Sequence, residues 1–220
     1  MPATSDPVVE VLLARHGRTF ANEAGIRINR NTPSPLFRLL CMSLLISARI
    51  SAHVAISATR ALAEAGWTTP SQMADTTWEE RTAVLNQSGY ARYDESTARY
   101  LERATGLLID RYDGDLRHLR AAAARQPHVE HRLLTEFTGI GDVGADVFLR
   151  EAQVVWDELD PYVDRRVLDA ADALELPTTP AALRALVDDR VSFARLVAAL
   201  VRSGLAGDHD EIREQASRSA

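Results

Sequence analysis

The segment LLTEFTGIGDVGADVFL, from Leu133 to Leu149, constrains the fold of this chain more than any other. Leu134 and Phe137 share one face of a predicted short helix, and a second apolar face begins at Ala145. Between them, Gly139-Ile140-Gly141 predicts a turn that needs residues without a Cβ. The segment therefore predicts a helical hairpin. At the start of its second helix, exposed backbone N–H groups and the helix dipole favour an anion such as a phosphate.

Helix signals continue along almost the whole chain. Ser5-Asp6-Pro7 is a cap with proline in the first turn, and the prolines of Thr32-Pro33-Ser34-Pro35 precede a new helix start. No strand pair, internal repeat or low-complexity linker is recognisable, so the predicted fold class is all-α. After the first helix, the predicted helices are 35–48, 51–65, 70–74, 78–85, 95–112, 116–125, 161–174, 181–187 and 191–201, with a tail helix from 209.

Composition narrows the class of protein without naming a function. With 46% hydrophobic and 25% charged residues among 220, the chain is typical of an ordered globular protein of one domain or two lobes. One cysteine gives no disulfide framework and the N-terminus lacks a signal pattern, so we expect an intracellular protein. The longest apolar run, LLCMSLLISA, is too short to span a bilayer. We expect a monomer with no membrane partner.

Four ordered segments resemble the helix-hairpin-helix DNA glycosylases of the endonuclease III type. They are the hairpin, the V-D pair at Val163 and Asp164, the upstream SPLFRLLCMSLLISARIS, and YARYDESTARYLERATGLLIDRYDGDL. The match extends from about Thr32 to Leu176. The resemblance implies two helical lobes around a cleft: a barrel lobe over 32–155 ending in the hairpin, and a second lobe of 1–31 with 156–220. It also implies double-stranded DNA as the partner and a base flipped into the cleft.

The departures from the family pattern limit the chemistry. Where lyase-type members carry a lysine this chain has Val143, and it contains no lysine at all, so a lysine imine with an abasic sugar is excluded. The position of the adenine-mismatch glutamate falls at about Ser43. Because an iron–sulfur cluster needs about four cysteine ligands and Cys41 stands alone, we expect no cluster. The resemblance therefore implies a monofunctional glycosylase without a cofactor, although hairpins of this family can hold a monovalent or divalent cation.

The resemblance and the residues together give a set of candidate site residues. Asp164 is the candidate catalytic residue, because Asp160-Pro161 predicts a helix start just before it and a carboxylate can stabilise positive charge on the sugar or activate water. No metal ligands are predicted, since HVEH at 128–131 lacks a third ligand. The predicted DNA-binding residues are Gly139, Ile140, Gly141, Gly144, Ser47 and Arg49, and the tentative base-pocket residues are Ser43, Tyr93 and Tyr162.

The charge of the chain opposes DNA binding. A net charge of −6 has the wrong sign for a polyanion ligand, and Asp142 adjoins the hairpin glycines. The stretch 27–60 contains arginines and no acid, which predicts a basic first half of the cleft. We therefore expect weaker DNA affinity than a typical repair glycosylase has.

Two alternatives remain from sequence alone. The first is a catalytically silent helix-hairpin-helix protein that binds DNA. The weaker second is a histidine phosphatase, because LLARHGRTFANEAG resembles the R-H-G-x-T-x-x-N signature of that family and would make His16 the phosphoryl acceptor.

Overall fold

Helices form the regular structure of this chain. The computed structural model describes residues 6–48 and 50–219, and within these ranges it contains α-helices and two short 3-10 turns but no strand. The prediction of an all-α fold is confirmed. The helices are α1 (Pro7–His16), α2 (Phe20–Glu23), α3 (Pro33–Ser47), α4 (Ala52–Glu64), α5 (Pro70–Ala74), α6 (Trp78–Gln87), α7 (Asp94–Tyr112), α8 (Leu116–Ala122), α9 (Pro127–Thr135), α10 (Asp142–Ala152), α11 (Arg165–Ala173), α12 (Pro180–Arg184), α13 (Arg190–Ala206) and α14 (His209–Ser219).

The chain divides into two units. The larger unit contains Ala21–Glu158, and the smaller unit combines the residues up to Phe20 with those from Leu159 onward. Residues 21–31, which the sequence assigned to the second lobe, thus belong to the larger unit. The reason is packing, because Ile26 and Ile28 are buried there.

Among the described helices none is long and apolar enough to cross a membrane.

The larger unit is built around α3, whose residues are apolar on all sides. A helix with this pattern must be covered on every face, and α3 packs against α4, α7, α8 and α10. Its buried residues are Leu36, Phe37, Leu39, Leu40, Cys41, Met42, Ser43, Leu44 and Leu45.

Gly144 allows α10 to lie directly against α3. A Cβ on Gly144 would stand 2.1 Å from the Ser47 hydroxyl oxygen and 3.2 Å from the Ser43 carbonyl oxygen. The first separation is shorter than real Cβ contacts, so the Ser47 side chain would have to move, and the second is tight, so glycine allows the closest approach of the two helices. The contact fixes the hairpin, of which α10 is the second helix, on the central helix of the unit.

In the smaller unit, α13 packs against both α1 and α11, while α14 covers α1. Phe193, Leu196 and Leu200 on α13 are fully buried. Helix α11 begins at Arg165, four residues later than predicted. The difference arises because the Asp160 carboxylate accepts from Arg184 at 3.0 Å instead of capping a helix, while the Asp164 side chain caps α11.

The close contact at Gly144 yields a stability prediction. Gly144→Ala should destabilise the protein by about 2–4 kcal/mol, because overpacking a helix contact forces backbone shifts. Gly106→Ala is the matched control: Gly106 lies within α7 with nothing within 4 Å of an added Cβ, so it should stabilise by up to about 1 kcal/mol. Denaturant titration of both variants measures the difference. Equal stabilities would contradict the assigned contact.

Candidate functional site

The predicted hairpin is present between α9 and α10. Helix α9 ends at Thr135, two residues before Phe137, so Phe137 lies in the turn. Phe137 and Ile140 are buried, and the Phe137 ring stacks on Tyr112 with centroids 6.2 Å apart. Gly139 has φ of +92°, and a Cβ there would meet the Tyr100 side chain at 3.0 Å. This glycine is required by both its backbone conformation and its neighbour.

Gly141 differs from Gly139 in what it does. Its backbone is extended, with φ −95° and ψ −169°, and any residue could adopt it. It occupies the N-cap position of α10 without a side-chain hydrogen bond, and an added Cβ would meet nothing within 4 Å. The first N–H groups of α10 therefore begin the helix without a side-chain cap, beneath open space. This arrangement can accept an anion.

Two side chains flank this helix start. Asp142 is exposed in the first turn of α10, where the helix dipole favours a carboxylate, so its presence has a structural explanation. It nevertheless opposes a second negative charge at the same place. Val143, at the position of the family's lysine, is 39% exposed, and its side chain offers no nucleophile.

A cavity of about 440 Å³ adjoins the hairpin within the larger unit. The end of α3, the start of α7 and the hairpin each supply part of its wall. The described lining residues carry two tyrosine rings and three serine or threonine hydroxyl groups, and none of these residues is charged. Its lining residues are Leu44, Ser47, Ala48, Tyr93, Ser96, Thr97, Tyr100 and Gly139.

The structure separates the tentative base-pocket residues. Tyr93 lines the cavity, and the Arg92 guanidinium lies 5.4 Å from the centroid of its ring. Ser43 is fully buried, donates its hydroxyl proton to the Leu39 carbonyl, and is not among the residues that line this cavity. Tyr162 belongs to the smaller unit. Within the larger unit, Tyr93 thus lines the cavity beside the hairpin and Ser43 does not.

The predicted DNA contacts on α3 have a mixed outcome. Ser47 lines the cavity and donates its hydroxyl proton to the Ser43 carbonyl at 2.8 Å. Arg49 lies outside the described residues.

Two arginines of the basic stretch hold the backbone of the protein itself. Arg38 donates to the carbonyl oxygens of Gly25 and Ala24 at 3.0 and 3.1 Å. Arg60 donates to the carbonyl oxygen of Glu23. These hydrogen bonds to neutral carbonyl oxygens stabilise the connection after α2 and leave the charge of both guanidinium groups in place.

Asp164 lies in the smaller unit as the N-cap of α11. Its Oδ1 accepts from the Val167 N–H at 3.0 Å. The cap fixes the orientation of the carboxylate at the positive end of the helix dipole. This bond is also a sufficient structural reason for an aspartate at this position.

The phosphatase alternative is not supported by the fold. The segment before His16 is helix α1 rather than a strand, and the described residues contain no sheet. His16 Nε2 lies 2.8 Å from Asp208 Oδ2, and Arg15 also contacts Asp208 at 3.1 Å. These contacts join α1 to the start of α14 and give both Arg15 and His16 a structural role.

The described residues contain no group of three or more His, Cys, Asp or Glu side chains placed to hold a metal ion. In the HVEH segment, His131 faces Asp146 of α10 with nitrogen and oxygen 3.4 Å apart. Cys41 is buried and unpaired within α3.

Neither family models nor curated proteins give a match to this sequence. Among solved structures, the estranged-adenine complex of a trapped endonuclease III–DNA covalent intermediate is similar, with 17% identity and a TM-score of 0.47. The similarity covers 74% of this chain and 71% of that chain. A similarity of this size carries no information on chemistry, so function must be argued from the residues of this chain.

Two substitutions at the hairpin should change DNA affinity in opposite directions. Gly141→Ser should keep or raise stability, because serine is a good N-cap, yet lower duplex affinity about tenfold by occupying the N–H groups. Asp142→Asn should raise affinity by about 1 kcal/mol, roughly fivefold, more at low salt than at high. Titrations across a salt series measure both. If both variants fold and their affinity for the duplex is unchanged, the start of α10 is not an anion site.

Proposed function

We propose that this protein is a monofunctional DNA N-glycosylase that hydrolyses the glycosidic bond of a flipped base. The observation that carries the proposal is the uncapped start of α10 beside a neutral, tyrosine-lined cavity. The first feature suits the phosphate backbone of DNA and the second suits a nucleobase.

Phosphate binding would rest on the backbone rather than on charged side chains. The N–H groups at the start of α10 and the dipole of this eleven-residue helix act together on an anion. The open space above Gly141 lets a phosphate oxygen approach them. Such contacts are independent of sequence, as binding to a duplex backbone requires.

The cavity has the chemistry of a base pocket. Tyr93 and Tyr100 can stack on a flat ring, and the hydroxyl oxygens of Ser47 and Ser96, whose protons go to the carbonyls of Ser43 and Tyr93, can accept hydrogen bonds from its edge. Tyrosine stacking compensates the loss of stacking when a base leaves the duplex. Because no charged side chain is among the described residues that line the cavity, we expect a neutral base.

Asp164 would supply the charge that glycosidic cleavage needs. Positive charge develops on the sugar as the bond breaks, and a carboxylate held in one orientation can stabilise it or accept a proton from water. The cap on α11 provides this fixed orientation. With Val143 at the lysine position, hydrolysis should leave an intact abasic site.

A catalytically silent DNA-binding module is the second candidate. It is favoured by the capping role of Asp164, which explains the residue without catalysis. Activity is the property that separates the two candidates.

Asp164→Asn gives a test in which the fold is preserved. Asparagine caps helices as well as aspartate does, so stability should hold, whereas removal of the charge should slow excision by at least about 100-fold. The assay uses duplexes that carry a panel of damaged and mismatched bases, followed by alkali to cut abasic products. Asp189→Asn is the matched control, because Asp189 caps α13 in the same unit through the Ser192 N–H.

Each outcome of this assay is decisive. Full activity in Asp164→Asn would place the catalytic role elsewhere, and the absence of excision by wild-type protein on every duplex would leave the silent module. Borohydride should trap no protein–DNA adduct, since the chain has no lysine. A strong adduct that survives blocking of the N-terminus would contradict hydrolysis without an imine.

A further inference from the structure

A glutamate is buried in the first helix of the hairpin. Glu130 of α9 has 0% of its surface exposed. No described residue gives either of its carboxylate oxygens a partner with hydrogen-bond geometry. Leaving a charged carboxylate in this state would cost far more than leaving a neutral acid there.

The neighbouring groups already form a complete ion pair. Arg120 of α8 donates to both oxygens of Glu158, with Nε–Oε1 at 2.6 Å and Nη2–Oε2 at 2.5 Å. Both side chains are largely buried, at 13% and 11% exposure. The Arg120 guanidinium also lies 5.5 Å from the ring centroid of the fully buried Trp156. One guanidinium thus faces two carboxyl groups.

Charge balance then requires a proton. Arg120 can neutralise one carboxylate, and its two-pronged contact assigns it to Glu158. We propose that Glu130 keeps its proton in the folded protein, because the described residues bury its carboxyl group completely and offer neither oxygen a hydrogen bond. Retention of this proton makes the stability of the larger unit, to which α8 and α9 belong, dependent on pH.

The pKa values of Glu130 and Glu158 agree with this geometry. Burial, and then the neighbouring Glu158, raise the pKa of Glu130 to about 8. Although burial alone would raise it, the hydrogen bonds from Arg120 lower the pKa of Glu158 to about 2. The carboxylate of Asp157, which precedes Glu158 in the chain, also raises the pKa of Arg120. On α10, Asp146 faces His131, the next residue along α9.

The direction of the pH effect follows from these values. The unfolded chain releases the Glu130 proton near the ordinary pKa of 4.5, whereas the folded chain keeps it to about 8. The stabilisation is therefore complete below 4.5 and is lost as pH rises to about 8. Glu158 acts oppositely, and its contribution is lost as pH falls from 4.5 towards 2.

Glu130→Gln tests the retained proton, because glutamine has nearly the shape of the neutral acid and does not titrate. Between pH 6 and pH 8 the unfolding constant of wild type relative to that of the variant should rise roughly tenfold per pH unit and then level off. Denaturant titrations at each pH measure this ratio. Glu95→Gln is the control, since Glu95 is exposed on α7, and it should keep the wild-type dependence.

Hydrogen exchange locates the effect. After correction for intrinsic rates, wild-type amides in 127–135 and 153–158 should lose protection above pH 8, while those of Glu130→Gln should not. An identical pH dependence of wild type and Glu130→Gln would overturn the proposal.

If the variant does not fold, infrared titration of wild type decides. A protonated carboxyl band that persists to about pH 8 supports the retained proton, and its absence at pH 6 overturns the proposal.

Discussion

The contact of α10 with α3 at Gly144 is the constraint on which the candidate site depends. It brings the two helices so close that a single carbon atom would overlap the Ser47 oxygen at 2.1 Å. This contact sets the hairpin against the end of α3, and the cavity exists because α7 covers the third side. The glycine-rich sequence thus has two separate functions: Gly139 and Gly144 serve the fold, and Gly141 leaves the start of α10 accessible.

The charges of the protein make sense if recognition relies on backbone groups. A chain with net charge −6 cannot attract DNA over long distances, and both Arg38 and Arg60 hold carbonyl groups of the protein itself. Short-range N–H groups and aromatic stacking work without net positive charge. We therefore expect a modest DNA affinity. The ligand would be selected by the geometry of the site rather than by its electrostatic field.

Local patterns in the sequence predicted the local features well. The turn at Gly139 and the all-α fold follow from glycine positions and apolar spacing, and Tyr93 at the cavity was anticipated. Interactions between distant residues were not predictable. The start of α11 was misplaced because Asp160 binds Arg184, 24 positions away. Tyr100 and the buried Glu130 were missed because helix packing decides which face of a helix is covered.

The most direct measurement of the central claim is the structure of this protein bound to a duplex that carries a non-hydrolysable nucleotide analogue. The account predicts a phosphate oxygen within hydrogen-bond distance of the N–H groups of Asp142, Val143 or Gly144. It also predicts an extruded base between Tyr93 and Tyr100. A duplex bound on another surface, with the start of α10 free of phosphate, would contradict the account.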